Sequence, residues 1–236
     1  MSWMVSHVIF DMDGTVVDSE SLLFSAIDVL SAKYKVSADL ETKAKLLGHP
    51  LKERAIQLYS DLGFEKYLTF QSFVSQLVSD CIQNVTNNGM KLMPGIERLV
   101  NHLRVNNIPM AIATGNDSNS YEGTKQRFHP FFNNFLFALK SGDKEEAISP
   151  KPSPDIYLKA FNKFGYFSGE NPLNESNVLV FEDSEVGVLS AISAGMKCVY
   201  VVDRRLNPRL ESDIASQVIY SLEDFKPELF GLPQFQ

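Results

Sequence analysis

Asp11 and Asp13 stand two residues apart in Asp11-Met12-Asp13-Gly14-Thr15, directly after the apolar run Val8-Ile9-Phe10. At the carboxyl end of a strand, two such side chains can project toward the same side. Like charges that close are costly unless a cation or a proton lies between them. A calcium loop of the EF-hand kind does not fit, because Gly14 falls at the fourth position and Leu22 at the twelfth. A plain Asp-Gly turn is the simpler alternative. Three further clusters follow. Thr114-Gly115-Asn116-Asp117 offers a hydroxyl and backbone N–H groups to an anion, although such residues also cap many helices. Lys151 sits in Ser149-Pro150-Lys151-Pro152-Ser153-Pro154, where prolines fix the backbone around a cation that would otherwise be solvated. Glu182-Asp183-Ser184 adds a second pair of carboxylates, with Asp183 also suited to capping the next helix. Together these supply carboxylates for a hard divalent cation, a hydroxyl and a lysine for phosphate oxygens, and a spare carboxylate for proton transfer. Oxygen ligands without His or Cys point to Mg²⁺ rather than zinc.

The elements that must position these groups are short apolar runs alternating with helical patterns. The runs are Val8 to Phe10, Met110 to Ala113, a weaker Phe135-Leu136-Phe137, Val178 to Phe181, Cys198 to Val202, and Val218 to Tyr220. Continuous apolar runs suit strands buried on both faces of a parallel sheet. Helices are predicted over Gly95 to Asn106, Ser153 to Phe164 and Glu185 to Ala194, the last stopping at Gly195. Alternation of this kind predicts an α/β fold with an open, doubly wound parallel sheet. Between the first two runs lie about a hundred residues without a convincing strand, too many for a loop. Leu22 to Tyr34, Ala38 to Leu47, Leu51 to Leu62 and Phe70 to Asn84 read there as amphipathic helices. A small all-helical domain over 19–90 is expected, mounted on an α/β core made of 1–18 and 91–236.

The chain has 236 residues and a net charge of −7, with 22 Lys plus Arg against 29 Asp plus Glu. Residues 19–92 carry equal numbers of acids and bases, so the acidity belongs to the predicted core. An acidic chain without a basic run repels a phosphate backbone, so no nucleic-acid polymer is expected as partner. Cys81 and Cys198 are too few for a disulfide framework and read as reduced thiols. No signal-type segment opens the chain and no apolar run approaches 18 residues, so no membrane is expected and a cytoplasmic, soluble protein is the default.

The four ordered clusters resemble the motifs of the haloacid dehalogenase superfamily. That pattern has D-x-D-G-[TV] after strand one, Ser or Thr after strand two, a lysine before a helix and acids after strand four. Here Asp11 to Thr15, Thr114, Lys151 with Pro152, Pro154 and Asp155, and Phe181 to Ser184 fill those places over about 190 residues. The helical insert after the first motif is similar to the superfamily's first class of cap. His7 to Gly14, Leu92-Met93-Pro94-Gly95, Ile112 to Gly115 and Val180 to Asp183 further resemble the branch of pseudouridine-5′-phosphatase and related sugar- and polyol-phosphate phosphatases. The resemblance implies a Mg²⁺-dependent phosphatase acting on small phosphorylated metabolites (nucleoside, sugar or polyol monophosphates) through an aspartyl-phosphate. Asp11 is implied as nucleophile and Asp13 as general acid and base. Mg²⁺ is implied between Asp11, the Asp13 carbonyl and Asp183, with Glu182 direct or through water. Thr114 and Lys151 are implied to hold phosphate oxygens, and Gly115 and Asn116 to bind phosphate or substrate.

The chain also departs from related sugar phosphomutases. Leu23 stands where they carry a cap histidine, and Leu51 where they carry a cap arginine. Both departures disfavour a phosphomutase, the first alternative; a non-enzymatic, receiver-like phosphate-binding module is the second, and has no use for a helical insert. His49 and Lys52, in Gly48-His49-Pro50-Leu51-Lys52, are the candidate substrate-contacting residues of the insert, while His7, His102 and His129 read as structural or surface residues. The expected partner is a small phosphate ester, and the expected state is a monomer.

Overall fold

The computed structural model describes residues 4–44, 47–48, 51–168, 174–206 and 213–236. Six strands, β1 (His7–Phe10), β2 (Met110–Thr114), β3 (Ala138–Lys140), β4 (Val178–Glu182), β5 (Lys197–Val201) and β6 (Gln217–Ile219), form one sheet. Their order is β3-β2-β1-β4-β5-β6, and every pairing is parallel. The chain winds outward from β1 to β3 on one side and from β4 to β6 on the other, so the winding reverses between β1 and β4. A crevice outside the carboxyl ends of the strands is expected at that place.

Side-chain alternation explains why the central strands are apolar throughout. Val8 and Phe10 join the apolar cluster on one face, with Ile112, Leu179, Phe181 and Val199. Ile9 joins the cluster on the other, with Ala111, Ala113, Val178, Val180 and Tyr200. The first face is covered by α5 (Ile96–Val105), which lays Ile96, Leu99, Val100 and Leu103 on it. The second is covered by α7 (Asp155–Ser168) and α8 (Glu185–Ser193), through Ile156, Ala160, Phe164, Val188 and Ala191. Between β2 and β3 lies α6 (Ser118–Arg127), capped by Asp117, whose side chain accepts from Ser120 N–H at 2.8 Å.

The stretch between β1 and β2 is helical, as its periodicity predicts. It holds α1 (Glu20–Tyr34), α2 (Leu40–Ala44), α3 (Leu51–Asp61) and α4 (Phe70–Asn88). Leu23, Ile27 and Leu30 of α1, Leu58 of α3 and Phe73 and Leu77 of α4 form an apolar cluster of their own. Two predicted elements are displaced. The run Phe135 to Phe137 is not the third strand; β3 starts at Ala138, because Phe135 and Phe137 fill opposite faces of the core while residues 138–140 pair with Ile112 to Thr114. The helix expected from Ala38 starts at Leu40, where the Asp39 carboxylate accepts from Thr42 N–H at 2.8 Å. No helix among the described residues is long and apolar enough to cross a membrane.

Candidate functional site

Three chain segments deliver four charged groups to the reversal point. Asp11 leaves the end of β1 and is 7% exposed; Glu182 ends β4 and is fully buried; Asp183 follows it at 8%. Lys151 arrives from the turn before α7. Its Nζ lies 2.5 Å from Asp11 Oδ1, 2.5 Å from Glu182 Oε1 and 3.2 Å from the Ala113 carbonyl. The two carboxylates hold the lysine above its usual pKa against the opposing effect of burial, so it stays charged. Glu182 is fully engaged: Oε1 accepts from Lys151 and from the Tyr157 hydroxyl at 2.6 Å, while Oε2 accepts from Asp183 N–H, Ser184 N–H and the Ser184 hydroxyl. Gly187 makes room for it, since a Cβ there would stand 2.0 Å from the carboxyl carbon.

Asp183 is different. The cap of α8 is Ser184, whose Oγ accepts from Gly187 N–H at 3.2 Å, so capping falls to Ser184 and not to Asp183. Among the described residues the Asp183 carboxylate accepts no hydrogen bond. Burial first, then the charges of Asp11 and Glu182, raise its pKa well above the ordinary carboxylate value. Asp11 is raised for the same leading reason, partly opposed by Lys151. Oxygens of Asp11, Glu182 and Asp183 all lie within 4.8 Å of one another. Three clustered, buried carboxylates facing one lysine leave an excess of negative charge, and the donors are all oxygen. That set fits a hard divalent cation such as Mg²⁺.

Asp13 lies beside this cluster and is held by other groups. Asn116 Nδ2 donates to its Oδ2 at 2.7 Å, and Ser19 Oγ lies 2.6 Å from its Oδ1. Burial raises its pKa; the Ser19 bond opposes this, the Glu20 charge adds to it, and Arg54 and Asn116 oppose it. Asp11, Asp13, Gly115, Asn116, Lys151 and Asp183 all line one cavity of about 250 Å³. Thr114, at the end of β2, is fully buried; its Oγ1 accepts from Asn116 N–H at 3.1 Å and so shapes the loop that carries Asn116. Of the two candidates in the helical insert, His49 lies outside the described residues, as does the Lys52 side chain. Gly48, which precedes them, lines the cavity.

The sequence reading missed four participants. Ser19 and Glu20 follow Asp18 directly, and Glu20 opens α1. Arg54 NH1 bonds Glu20 Oε2 at 2.6 Å, and both residues line the cavity. Leu51 is not arginine, yet Arg54 stands one turn further along the same helix, three residues being neighbours on one face. Tyr157 packs in the core with Ile156 and Ala160, and its hydroxyl also anchors Glu182.

Residues 8–201 match the family profile of the haloacid dehalogenase-like hydrolases. Among curated proteins, the chain is 38% identical over 232 residues to (DL)-glycerol-3-phosphatase 2 of Arabidopsis thaliana, covering 98% of this chain and 93% of that one. It is 35% identical over 235 residues to a Drosophila melanogaster protein named "Probable pseudouridine-5′-phosphatase", covering 98% and 96%. Among solved structures, a beta-phosphoglucomutase from Clostridium difficile superposes with a TM-score of 0.69 at 21% identity, over 97% of this chain and 96% of that one. That likeness is one of fold.

Proposed function

The chain belongs to the haloacid dehalogenase-like hydrolase family, and from that premise we propose that it is a Mg²⁺-dependent phosphatase of small phosphate monoesters. The observation that carries this reading is the meeting of two kinds of aspartate at one cavity. Asp11 is clamped by Lys151 in the acidic cluster, while Asp13 lies outside that cluster with a raised pKa. Glycerol-3-phosphatase and pseudouridine-5′-phosphatase names among the relatives support it.

In this reading an Asp11 oxygen attacks phosphorus in line and the bond to the leaving alcohol oxygen breaks. Asp13 gives that oxygen its proton, which a buried carboxyl with raised pKa retains at higher pH than an exposed one. Water then attacks the aspartyl-phosphate, its proton passes to Asp13, and the bond to Asp11 breaks. Lys151 faces the phosphoryl oxygens, and Glu182, which accepts from five protein donors, keeps the lysine in place and would reach the metal through water. Asp11 and Asp183 would hold Mg²⁺, which when bound neutralises phosphate charge. Thr114 and Gly115 would present the β2 loop to the phosphate, with Asn116 aligning Asp13. Residues 19–90 would act as a cap over the leaving group, excluding water, with 1–18 and 91–236 as the core. The reducing cytoplasm suits the two free thiols.

The test is phosphate release from p-nitrophenyl phosphate with Mg²⁺ and with EDTA. Turnover is expected with Mg²⁺ and not with EDTA. Asp11→Asn is expected to lower it by at least about a thousandfold while the fold is retained. Full activity in that variant overturns the mechanism.

A further inference from the structure

Glu20 and Arg54 form a buried ion pair that takes no covalent, proton-transfer or metal-binding part in the proposed reaction, although both charges bear on Asp13. They sit on different helices of the insert, at 3% and 9% exposure, and meet at 2.6 Å. Both line the cavity that holds Asp13. Asp13 marks the leaving-group oxygen, so the body of the leaving group extends toward this pair and toward Leu22, Leu23 and Val85, which line the same cavity.

We propose that the Glu20–Arg54 pair is a charge filter, making the enzyme selective for leaving groups that are uncharged and polyhydroxylated, and excluding those that carry a second anionic group. This rests on the phosphatase reading and names its substrate class.

The pair is neutral as a whole, so a neutral alcohol enters without disturbing it. Its hydroxyl protons find an acceptor in the Glu20 carboxylate, a bond strengthened by charge. A leaving group bearing a carboxylate or a second phosphate meets the Glu20 charge in a site shielded from water, where like charges are expensive. Recruiting Arg54 instead would strip Glu20 of its partner and leave a buried carboxylate uncompensated. Selectivity then comes from a repulsive element as much as from an attractive one. The cavity volume agrees: about 250 Å³ is below the roughly 300–1,000 Å³ of clefts for drug-sized ligands, which favours leaving groups of glycerol to pentose size.

The test compares kcat/KM for glycerol 3-phosphate and for 2-phosphoglycolate, with the full chain and Mg²⁺. Both leaving groups are aliphatic alcohols, so any change in Asp13 acidity acts on both alike and cancels in the ratio. The unsubstituted enzyme is expected to favour glycerol 3-phosphate by at least about tenfold. Glu20→Gln removes the carboxylate that repels an anionic leaving group and keeps the Arg54 charge, and the ratio is expected to swing toward 2-phosphoglycolate by about tenfold or more. Glu20→Gln with Arg54→Gln removes both charges, and the ratio is expected to fall between those of the unsubstituted enzyme and Glu20→Gln, because the repulsive carboxylate is gone and no cation replaces it. Equal use of the two esters by the unsubstituted enzyme overturns the filter, and needs no variant to fold. A ratio that Glu20→Gln leaves unchanged also overturns it. Absence of phosphate release from every ester, p-nitrophenyl phosphate included, instead sinks the phosphatase reading.

Discussion

Asp13 is where single residues set the chemistry. Its carboxyl is pushed up by burial and by Glu20, and pulled down by Ser19, Arg54 and Asn116. In the proposed mechanism the protonated form serves the leaving group, so the alkaline limb of the kcat profile for an alkyl phosphate is expected to report on this balance. Two substitutions should move that limb in opposite directions. Glu20→Gln removes a neighbour that favours the protonated form, so the limb is expected at lower pH. Asn116→Ala removes a 2.7 Å bond that favours the carboxylate, so the limb is expected at higher pH. Shifts in the same direction, or none, would show that the limb belongs to another group. The same balance explains why Asp11 and Asp13 differ despite their spacing. Asp11 meets the Lys151 ammonium at 2.5 Å, whereas Asp13 meets an amide and a hydroxyl.

Elements decide how closely the helical insert meets the sheet. Gly48 has φ of +77°, and a Cβ on it would stand 2.2 Å from Ser184 Oγ and 2.6 Å from Val186 Cγ2. Ser184 caps α8 and also bonds Glu182, so the insert presses on the corner that fixes Lys151. In Gly48→Ala the left-handed backbone and the contact are both strained, at about 1–3 kcal/mol. The loop is expected to lift, lowering kcat/KM for glycerol 3-phosphate by about tenfold or more with the fold retained; an unchanged value would show that the approach is incidental. This contact was not legible in sequence, and neither was the Glu20–Arg54 pair. Each joins residues far apart in the chain, and their meeting depends on how Leu23, Ile27, Leu58 and Phe73 rotate the helices against one another. The placement of Asp11, Thr114, Lys151 and Glu182–Asp183 was legible because each lies at or just after a strand end or before a helix, and the winding rule for parallel sheets brings those ends together. The third strand was misplaced for a related reason. Aromatic residues at 135 and 137 look like a strand from their own composition, while the ladder position is set by β2.

At the scale of the whole molecule, function and stability pull against each other. The chain carries −7, and three of its acids are buried in one cluster beside one lysine. Asp11 and Asp183 have folded pKa values well above their ordinary ones, chiefly through burial. A carboxyl raised in this way favours the fold at low pH, and the benefit is lost as pH rises through its folded value. The metal-free protein therefore carries a penalty at neutral pH. Asp183→Asn removes one buried charge, and its melting temperature at pH 7 in EDTA is expected to exceed that of the unsubstituted chain. One kcal/mol corresponds to about 2–4 °C in a chain of this size. Mg²⁺ should act unequally on the two proteins. A ligand present at 100 times its Kd stabilises the state that binds it by about 2.7 kcal/mol, so the unsubstituted chain is expected to gain about 5–10 °C. Asp183→Asn has lost a proposed ligand and is expected to gain little. Calorimetry of both proteins, with EDTA and with Mg²⁺, checks the two signs together. An equal gain in both proteins would remove Asp183 from the metal site. A lower metal-free melting temperature in Asp183→Asn would show that its charge is already balanced by the protein, so the acidic cluster would need no metal to hold together.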